Sequence, residues 1–409
     1  MKKFFIFWAS QAFSLIGSAV VEFALAWYLT KETGSATILS TAVLVALIPQ
    51  ILLGPLIGPL IDRWNRKTIM IFADMSVTLV TVALVVLFLT NTIEIWHIYA
   101  AMFLRAIGQS FQFPAMMAAV ATIVPEQHLS RANGLNQMLQ GVIGIAAPPL
   151  GALLMEMLPM QGVLAVDIGT AIIGIGCLLF IVIPQPVRTT LGMKLNIIGD
   201  MVQGFRYLWT GKGLRQLMGL IALTGFFATP AFVLIPMLVN NHLAGDVLKL
   251  GWINSAFGVG MISGGVLLGI WGGLKKRILT CLLGIFIVGL TMIGLGFTSE
   301  RLFYFSLSVS LLSGIGLAIA NAPFMAIINS IVAKDMQGRI FSVIGSISAV
   351  MTPLGLAFAG PLADAIGIRW IFFIGGGGFI LLVPLSLLSR SLMNLESQKP
   401  EEKLPEANR

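Results

Sequence analysis

The chain has 409 residues, of which 57% are hydrophobic and only 10% are charged, and its mean hydropathy is +0.95. A water-soluble domain cannot place so much apolar side-chain surface, so the composition excludes one. The formal net charge is +8, but the basic residues are dispersed among the loops between apolar stretches. This dispersion argues against a nucleic-acid partner.

Apolar stretches of about 20 residues, the length that crosses the hydrocarbon core of a lipid bilayer, recur along the whole chain. They predict an all-α membrane protein with twelve transmembrane helices. The first six predicted spans are 4–29, 37–60, 68–90, 97–123, 134–156 and 163–184. The second six are 216–239, 250–273, 278–298, 302–332, 340–363 and 369–388.

The longest polar stretch divides these spans into two sets. We therefore predict an N-terminal six-helix bundle over 1–184 and a C-terminal six-helix bundle over 216–393. Between them, 185–215 is predicted to be a cytoplasmic linker that contains an amphipathic helix on the inner membrane surface. The polar segment 394–409 is predicted to be a disordered cytoplasmic tail.

Lysine and arginine residues predict the orientation, because cytoplasmic loops accumulate them. With the N-terminus inside, only Lys31, Lys249, Arg301 and Arg369 of the 25 basic residues fall in outer loops. Both termini are therefore predicted to be cytoplasmic. The first apolar run continues past Glu22 without a clear small-residue cleavage site, which favours a retained helix over a signal peptide.

The two halves of the chain resemble each other in sequence. Gly54, Gly58 and Arg66 correspond to later residues at an offset of 211, namely Gly265, Gly269 and Arg277. Further matches follow in the same order at similar offsets. They predict two six-helix repeats around a central cavity, the arrangement in which secondary transporters bind their substrates.

After the second predicted span the chain reads Gly58-Pro-Leu-Ile-Asp62-Arg63-Trp-Asn-Arg66-Lys67. This segment resembles the loop signature of the major facilitator superfamily, Gly-x-Leu-Ala-Asp-Arg-x-Gly-Arg-Arg/Lys. The Ile-Met-x-x-Ala-Asp run at 69–74 is similar to that of the bacterial macrolide-efflux group of drug:proton antiporters. The resemblance extends over essentially the whole chain.

The resemblance implies a secondary active transporter in the bacterial cytoplasmic membrane. It would export lipophilic or amphipathic drugs of macrolide type by alternating access, coupled to inward movement of protons. It also implies a latch that holds the inner side closed in the outward-open state. The latch residues would be Gly58, Asp62, Arg63, Arg66 and Lys67.

The latch also has a physical rationale. Gly54 and Gly58 are expected to permit a close approach of helices, and Asp62 is expected to face a neighbouring helix terminus. The alternative is a simple turn whose charges only set the orientation of the chain.

Charged side chains inside predicted spans are costly unless they are paired or solvated, so they indicate working sites. On the first helix, four polar residues recur on one face: Gln11, Ser14, Ser18 and Glu22. On the fourth helix, a second polar face carries Arg105, Gln109 and Gln112.

We predict that these two faces couple protons to substrate through Glu22, Arg105, Gln109 and Gln112. Glu22 would pair with Arg105 in one conformation and separate from it in another, which would change its proton affinity. The resemblance supports this role, since Arg105 and Gly108 match the core of the family's fourth-helix motif. A static structural ion pair is the alternative.

Asp74 and Asp167 lie on the third and sixth predicted helices, which the carrier architecture places at the periphery. For these two carboxylates we expect structural partners. Residues that are expected to line the substrate cavity are Gln11, Ser18, Phe226, Phe227, Phe232, Asn254, Ser310, Ser313 and Asn321. An apolar and aromatic cavity with few polar groups suits a bulky amphipathic drug, although many of the 26 phenylalanines must face lipid or pack internally.

Other classes of protein lack support in the sequence. There is no nucleotide-binding P-loop, and the three histidines lie in loops or at helix ends, so neither a pump ATPase nor another enzyme is indicated. Cys177 and Cys281 fall inside spans, so no metal or other cofactor is expected.

Within transport, the open alternatives are export of an endogenous metabolite or siderophore and import of a nutrient. A membrane sensor or assembly partner without transport activity would need an output domain. We expect the protein to work in the lipid bilayer as a monomer on a small-molecule drug.

Overall fold

The computed structural model describes residues 2–183, 212–332 and 336–397, and within these ranges the regular structure is helical. The predicted amphipathic linker helix falls outside the described residues, as does the tail beyond residue 397. At the start of the predicted tail, Leu395–Ser397 forms a short 3₁₀ helix. Glu396 Oε1 accepts a hydrogen bond from Ile278 N (2.9 Å). Ile278 lies in the first turn of a helix, where a carboxylate is favourable.

Six long helices occupy the first half of the chain. They are α1 (Lys2–Thr33), α2 (Ala36–Arg63), α3 (Arg66–Leu89), α4 (Ile95–Ile123), α5 (Leu129–Met157) and α6 (Met160–Phe180). The described part of the second half contains α7 (Lys212–Val233), α8 (Ile235–His242), α9 (Val247–Trp271), α10 (Arg277–Gly296), α11 (Phe303–Ile331), α12 (Gln337–Ile366), α13 (Ile368–Leu388) and the single turn α14 (Arg390–Met393). Two further 3₁₀ turns are Glu126–His128 and Glu300–Leu302.

Eleven helices in the described ranges are long and apolar enough to cross a membrane. The remaining predicted span corresponds to α4, which has 29 residues and would extend about 43 Å at 1.5 Å per residue. Its length suffices, but Arg105, Gln109 and Gln112 lower its apolar character. The same three residues form part of the candidate site.

The seventh predicted span, 216–239, is broken in the structure. Helix α7 ends at Val233, and the short helix α8 begins at Ile235. Pro236 has no N–H group, so it cannot donate to the carbonyl one turn earlier, and Pro230 lies within the last turn of α7. The two prolines give a physical reason for a break that the apolar pattern alone does not reveal.

At the loop signature a polar residue caps the start of the third helix. Asn65 caps α3, since its Oδ1 accepts a hydrogen bond from Thr68 N (3.2 Å). Only Trp64 and Asn65 separate α2 from α3. Arg66 is therefore the first residue of α3, which fixes where its guanidinium can reach.

Internal contacts divide the chain into two compact units, one formed by 1–193 with 239–255 and the other by 194–238 with 256–409. In the first unit, α1 packs against α5 and α6, while α3 packs against α4 and α6. In the second unit, α7 packs against α12 and α13, while α10 packs against α11 and α13. The same four pairings thus occur in both units, as expected for a duplicated helical bundle.

One arginine contact also recurs in both units. Arg66 Nη1 donates to Ala118 O (2.7 Å), joining the start of α3 to α4. Arg277 Nη1 is 3.5 Å from Ala326 O, joining the start of α10 to α11. These arginines are the pair that the sequence offset of 211 brought into correspondence.

Close helix packing in the second unit depends on small residues. A Cβ atom at Gly260 of α9 would overlap Leu311 O, and one at Gly314 of α11 would overlap Phe257 O. Side chains larger than hydrogen would separate these helices.

Candidate functional site

A cavity of about 570 Å³ opens within the first unit. Helices α1, α2, α4 and α5 supply its walls. The lining residues are Leu15, Ser18, Ala19, Glu22, Gln50, Gly54, Ile57, Gly58, Gln109, Ser110, Phe113, Pro114, Gln140 and Ile143. Apolar side chains and a few polar groups are thus combined in the way that small-molecule sites favour.

Glu22 is the only ionisable residue of that lining. Gln109 Nε2 on α4 donates to Glu22 Oε1 on α1 at 2.5 Å. The two polar faces predicted from spacing therefore meet at the cavity. A carboxylate held by a neutral amide can gain or lose a proton without breaking an ion pair.

Arg105 lies behind this cavity wall and is 2% exposed. Its Nη1 forms an ion pair with Asp167 Oδ2 of α6 at 2.8 Å and also donates to Thr81 Oγ1 of α3. Its Nη2 is 3.4 Å from Ser18 O of α1. The expected contact between Glu22 and Arg105 is not observed in this structure. The guanidinium of Arg105 pairs with Asp167 instead.

The second buried carboxylate, Asp74 of α3, is also 2% exposed. Its Oδ1 accepts a hydrogen bond from Gln112 Nε2 of α4, and Ser14 Oγ of α1 is 3.4 Å from the same oxygen. Gln112 thus contacts Asp74 and does not line the cavity. Gln11 is fully buried on α1, and it too is absent from the cavity wall.

Asp74 and Asp167 do have structural partners, as expected. Their partners lie on the polar faces of α1 and α4, the helices that were predicted to line the cavity. Since α6 packs against both α1 and α3, Asp167 reaches Ser18 Oγ (3.2 Å) as well as Arg105. The helices expected at the periphery thereby contribute both of their carboxylates to buried polar contacts with α1 and α4.

Sequence reasoning did not identify Thr81, Gln50 or Gln140. Thr81 follows Asp74 by seven residues on α3, so the two side chains share one buried face. That spacing was the available signal for Thr81. Gln50 and Gln140 line the cavity, but single glutamines within apolar spans carry no comparable signal.

The proposed cavity residues of the C-terminal half have varied surroundings. The rings of Phe226 and Phe227 pack edge to face at 5.4 Å, and Phe227 also lies against Gly378 of α13. Phe232 packs on Phe257 with ring centroids 5.1 Å apart. All three phenylalanines are half-buried and contact neighbours of the second unit, and their part in a substrate cavity stays a prediction.

The polar members of the same set are also divided. Ser310 and Ser313 are buried, and Asn321 lines a separate cavity of about 220 Å³ within the second unit. Asn254 lies in the segment 239–255, which groups with the first unit, and its Nδ2 donates to Leu250 O (3.0 Å).

The basic residues of the loop signature contact neighbouring helix ends. Besides the Arg66 contact with α4, Lys67 Nζ donates to Leu179 O of α6 (2.9 Å). Arg63 is exposed at the rim of a separate cavity of about 680 Å³. The side chain of Asp62 is not among the described groups, so its expected part in the latch remains a prediction.

The two glycines of this segment do not mediate a close approach. No heavy atom of the described residues lies within 4 Å of a Cβ position at Gly54 or Gly58. Both residues line the 570 Å³ cavity, where the lack of a side chain leaves volume free. A close approach of helices at these glycines is not observed in this structure and stays a prediction of the latch.

The fold and the buried polar contacts define a multi-pass membrane transporter. The chain belongs to the Major Facilitator Superfamily, whose family model matches residues 7–237 and 217–408. It is 32% identical over 374 residues to Macrolide efflux protein A of Streptococcus pyogenes, an alignment that covers 91% of this chain and 92% of that protein. The resemblance to the macrolide-efflux group is thereby confirmed.

Two further comparisons agree with this assignment. The chain is 25% identical over 400 residues to the Multidrug efflux pump Tap of Mycolicibacterium fortuitum, covering 94% of this chain and 95% of the relative. The fold matches the crystal structure of a bacterial homologue of the iron transporter ferroportin in its inward-facing state, with a TM-score of 0.74 at 14% identity. That match covers 97% of this chain and 99% of the other. The protein is thus a multi-pass transporter of the bacterial cytoplasmic membrane.

Proposed function

We propose that this protein exports lipophilic or amphipathic drugs of macrolide type from the cytoplasm, and that inward movement of protons drives the export. The observation that carries the proposal is the Glu22–Gln109 contact at a largely apolar cavity. One ionisable carboxylate among apolar walls provides both a proton acceptor and an attraction for a cationic amphipathic compound.

The cavity and the relatives support the proposed substrate class. Leu15, Ile57, Phe113 and Ile143 offer apolar contact, while Gln50 and Gln140 offer hydrogen bonds. Such walls accept the mixed apolar and polar surface of a macrolide-like compound better than that of a sugar or an ion. Two relatives that share most of the chain are named for macrolide efflux and for multidrug efflux.

The coupling would follow from competition for Glu22. Protonation neutralises its charge and weakens its attraction for a cationic substrate, so a proton taken from outside would favour release of the drug there. Loss of that proton to the cytoplasm would restore the binding charge. A carrier that alternates access between these two states converts the proton gradient into drug export.

The membrane arrangement is part of the proposal. We place twelve helices across the bilayer, including α4, with both termini in the cytoplasm, as the distribution of lysine and arginine favours. The functional unit would be a monomer made of two six-helix bundles over 1–184 and 216–393, joined by the linker 185–215. The loop signature from Gly58 to Lys67 would stabilise the closed inner side.

The proposal can be tested by drug accumulation in cells. Accumulation of a labelled macrolide is compared in cells that make the wild-type protein, Glu22→Gln or Glu32→Gln, with and without a protonophore. Glu32 also lies on α1, but it is exposed and does not line the cavity. We expect low accumulation with the wild-type protein and Glu32→Gln, and restored accumulation with Glu22→Gln or the protonophore.

Unchanged accumulation with a normal amount of membrane-inserted protein would contradict drug export. It would direct the search to export of an endogenous metabolite or siderophore, or to nutrient import. Failure of the purified protein to move any of these solutes would favour a sensor or assembly role.

A further inference from the structure

Asp74 marks a second polar cluster that the proposed export cycle has not used. It lies in the middle of α3, about 12 Å along the helix from Arg66. Ser14, Asp74 and Gln112 are each 2% exposed, and Gln11 is fully buried. These four residues from α1, α3 and α4 are called the Asp74 cluster below.

The hydrogen bonds of the Asp74 cluster are incomplete. Gln112 and Ser14 both approach Oδ1 of Asp74, whereas Oδ2 is buried and has no hydrogen-bond partner among the described residues. Gln11 lies one helical turn from Ser14, and neither its Oε1 nor its Nε2 has a partner in the described structure. A buried acceptor that lacks a donor is costly, and a charged one is costlier.

A single proton changes this balance. On Oδ2 it would remove the negative charge from a buried oxygen that no donor of the described residues meets. Oδ1 would keep its bonds from Ser14 and Gln112. In this buried cluster a neutral carboxyl group therefore costs less free energy than a carboxylate with one unpartnered oxygen.

The surrounding charges act in the same direction. Asp167 on α6 is a charged neighbour of Asp74, and Asp167 and Arg105 of α4 are in turn charged neighbours of Glu22 on α1. Arg105 forms an ion pair with Asp167. The charged residue at the end of α2, Arg63, lies near the start of α3 and is therefore distant from Asp74. Three carboxylates and one guanidinium therefore share this buried region, and full ionisation would leave it with excess negative charge.

We propose that Asp74 is a second proton-binding site, in which the proton resides on Oδ2 and is held by the Asp74 cluster. This site is separate from Glu22, which faces the cavity. Its contribution to export rests on the proposed function: each cycle would then move one proton more than Glu22 alone carries. Proton binding itself does not depend on any drug.

Infrared difference spectroscopy of the full-length protein in lipid vesicles tests proton binding directly. The carbonyl stretch of a protonated carboxyl group is followed as the pH is varied. We expect a band that is present in the wild-type protein and in Glu22→Gln and absent from Asp74→Asn. Ser14→Ala should shift the same band without removing it, because that variant loses a hydrogen bond to Oδ1.

The Ser14→Ala variant keeps the test decisive if Asp74→Asn does not fold. The proposal would be overturned if the band of the wild-type protein is unchanged in a folded Asp74→Asn protein or unchanged in Ser14→Ala. Because no drug is present, this result is independent of whether the protein exports macrolides.

The coupling ratio tests the role in transport. In proteoliposomes, the steady-state drug gradient is measured at several imposed pH gradients. The slope of the drug gradient against the pH gradient, both on logarithmic scales, gives the number of protons exchanged per drug molecule. Asp74→Asn should lower this ratio by one while drug movement continues. An unchanged ratio with a folded Asp74→Asn protein would contradict a second coupled proton.

Discussion

Arg105 Nη1 lies 2.8 Å from Asp167 Oδ2, and each side chain is only 2% exposed. Ser18 also donates to Asp167, and Thr81 also contacts Arg105, so the pair joins α1, α3, α4 and α6. A buried ion pair with additional hydrogen bonds resists separation. It therefore makes a rigid wall behind the Glu22 cavity.

Removal of one charge from this pair should destabilise the protein. In Asp167→Asn the guanidinium of Arg105 stays buried without its counter-ion, and we expect a loss of about 3–5 kcal/mol in the free energy of unfolding. Thermal unfolding of the purified protein in detergent measures the effect.

The double variant Arg105→Met, Asp167→Leu is the control for an uncompensated charge. It removes both charges at once and should recover much of the stability lost in Asp167→Asn. If Asp167→Asn unfolds at the same temperature as the wild-type protein, the pair has no structural role.

Gln109 should tune export through Glu22. In Gln109→Met the carboxylate loses a hydrogen bond that is worth about 1.5–3 kcal/mol for a charged acceptor. We expect kcat/KM for drug export to fall about tenfold or more, in proportion to this energy. Gln127→Met, in an exposed turn outside the cavity, is the matched control and should export normally. Equal activities of both variants would exclude a role for the contact.

The repeated arginine contact allows a comparison inside one chain. Arg66 is 8% exposed and its bond to Ala118 O is 2.7 Å long, whereas Arg277 is exposed and its distance to Ala326 O is 3.5 Å. Arg66→Ala should therefore reduce transport and stability more than Arg277→Ala does, since exposed contacts contribute little. Transport assays and membrane protein levels of the two variants measure the difference. A larger effect of Arg277→Ala would contradict the latch at the first repeat.

Helix packing at Gly260 can be tested with a neighbour on the same helix. Gly260→Ala would place a methyl group against Leu311 O and should destabilise the protein by about 1–3 kcal/mol. Gly265→Ala meets no heavy atom within 4 Å and should leave thermal stability unchanged. Similar melting temperatures for the two variants would show that α9 and α11 do not need a small residue at Gly260.

Much of the helical plan could be predicted from apolar run lengths, since each run must match the bilayer thickness. The spacing of polar residues also placed Glu22 and Gln109 on helix faces that meet. The break between α7 and α8 was missed, because run length does not register the missing N–H of Pro236.

The partner of Arg105 could not be derived in the same way. Periodicity shows which residues share a face of one helix, but the choice between Glu22 and Asp167 depends on how α4 and α6 pack. The same limit applies to Asp74, whose partners lie on α1 and α4. A single charge in an apolar span was enough to identify these charged residues as noteworthy. It did not show which of them contact each other.

Drug movement and proton movement in the same proteoliposomes test proton-driven export most directly. Purified protein is reconstituted, a pH gradient is imposed, and a labelled macrolide is followed together with a pH-sensitive dye. The proposed mechanism requires drug movement against its gradient with opposite proton flux, and loss of both in Glu22→Gln. Drug movement that is indifferent to the pH gradient, or equal in the wild-type protein and Glu22→Gln, would contradict it.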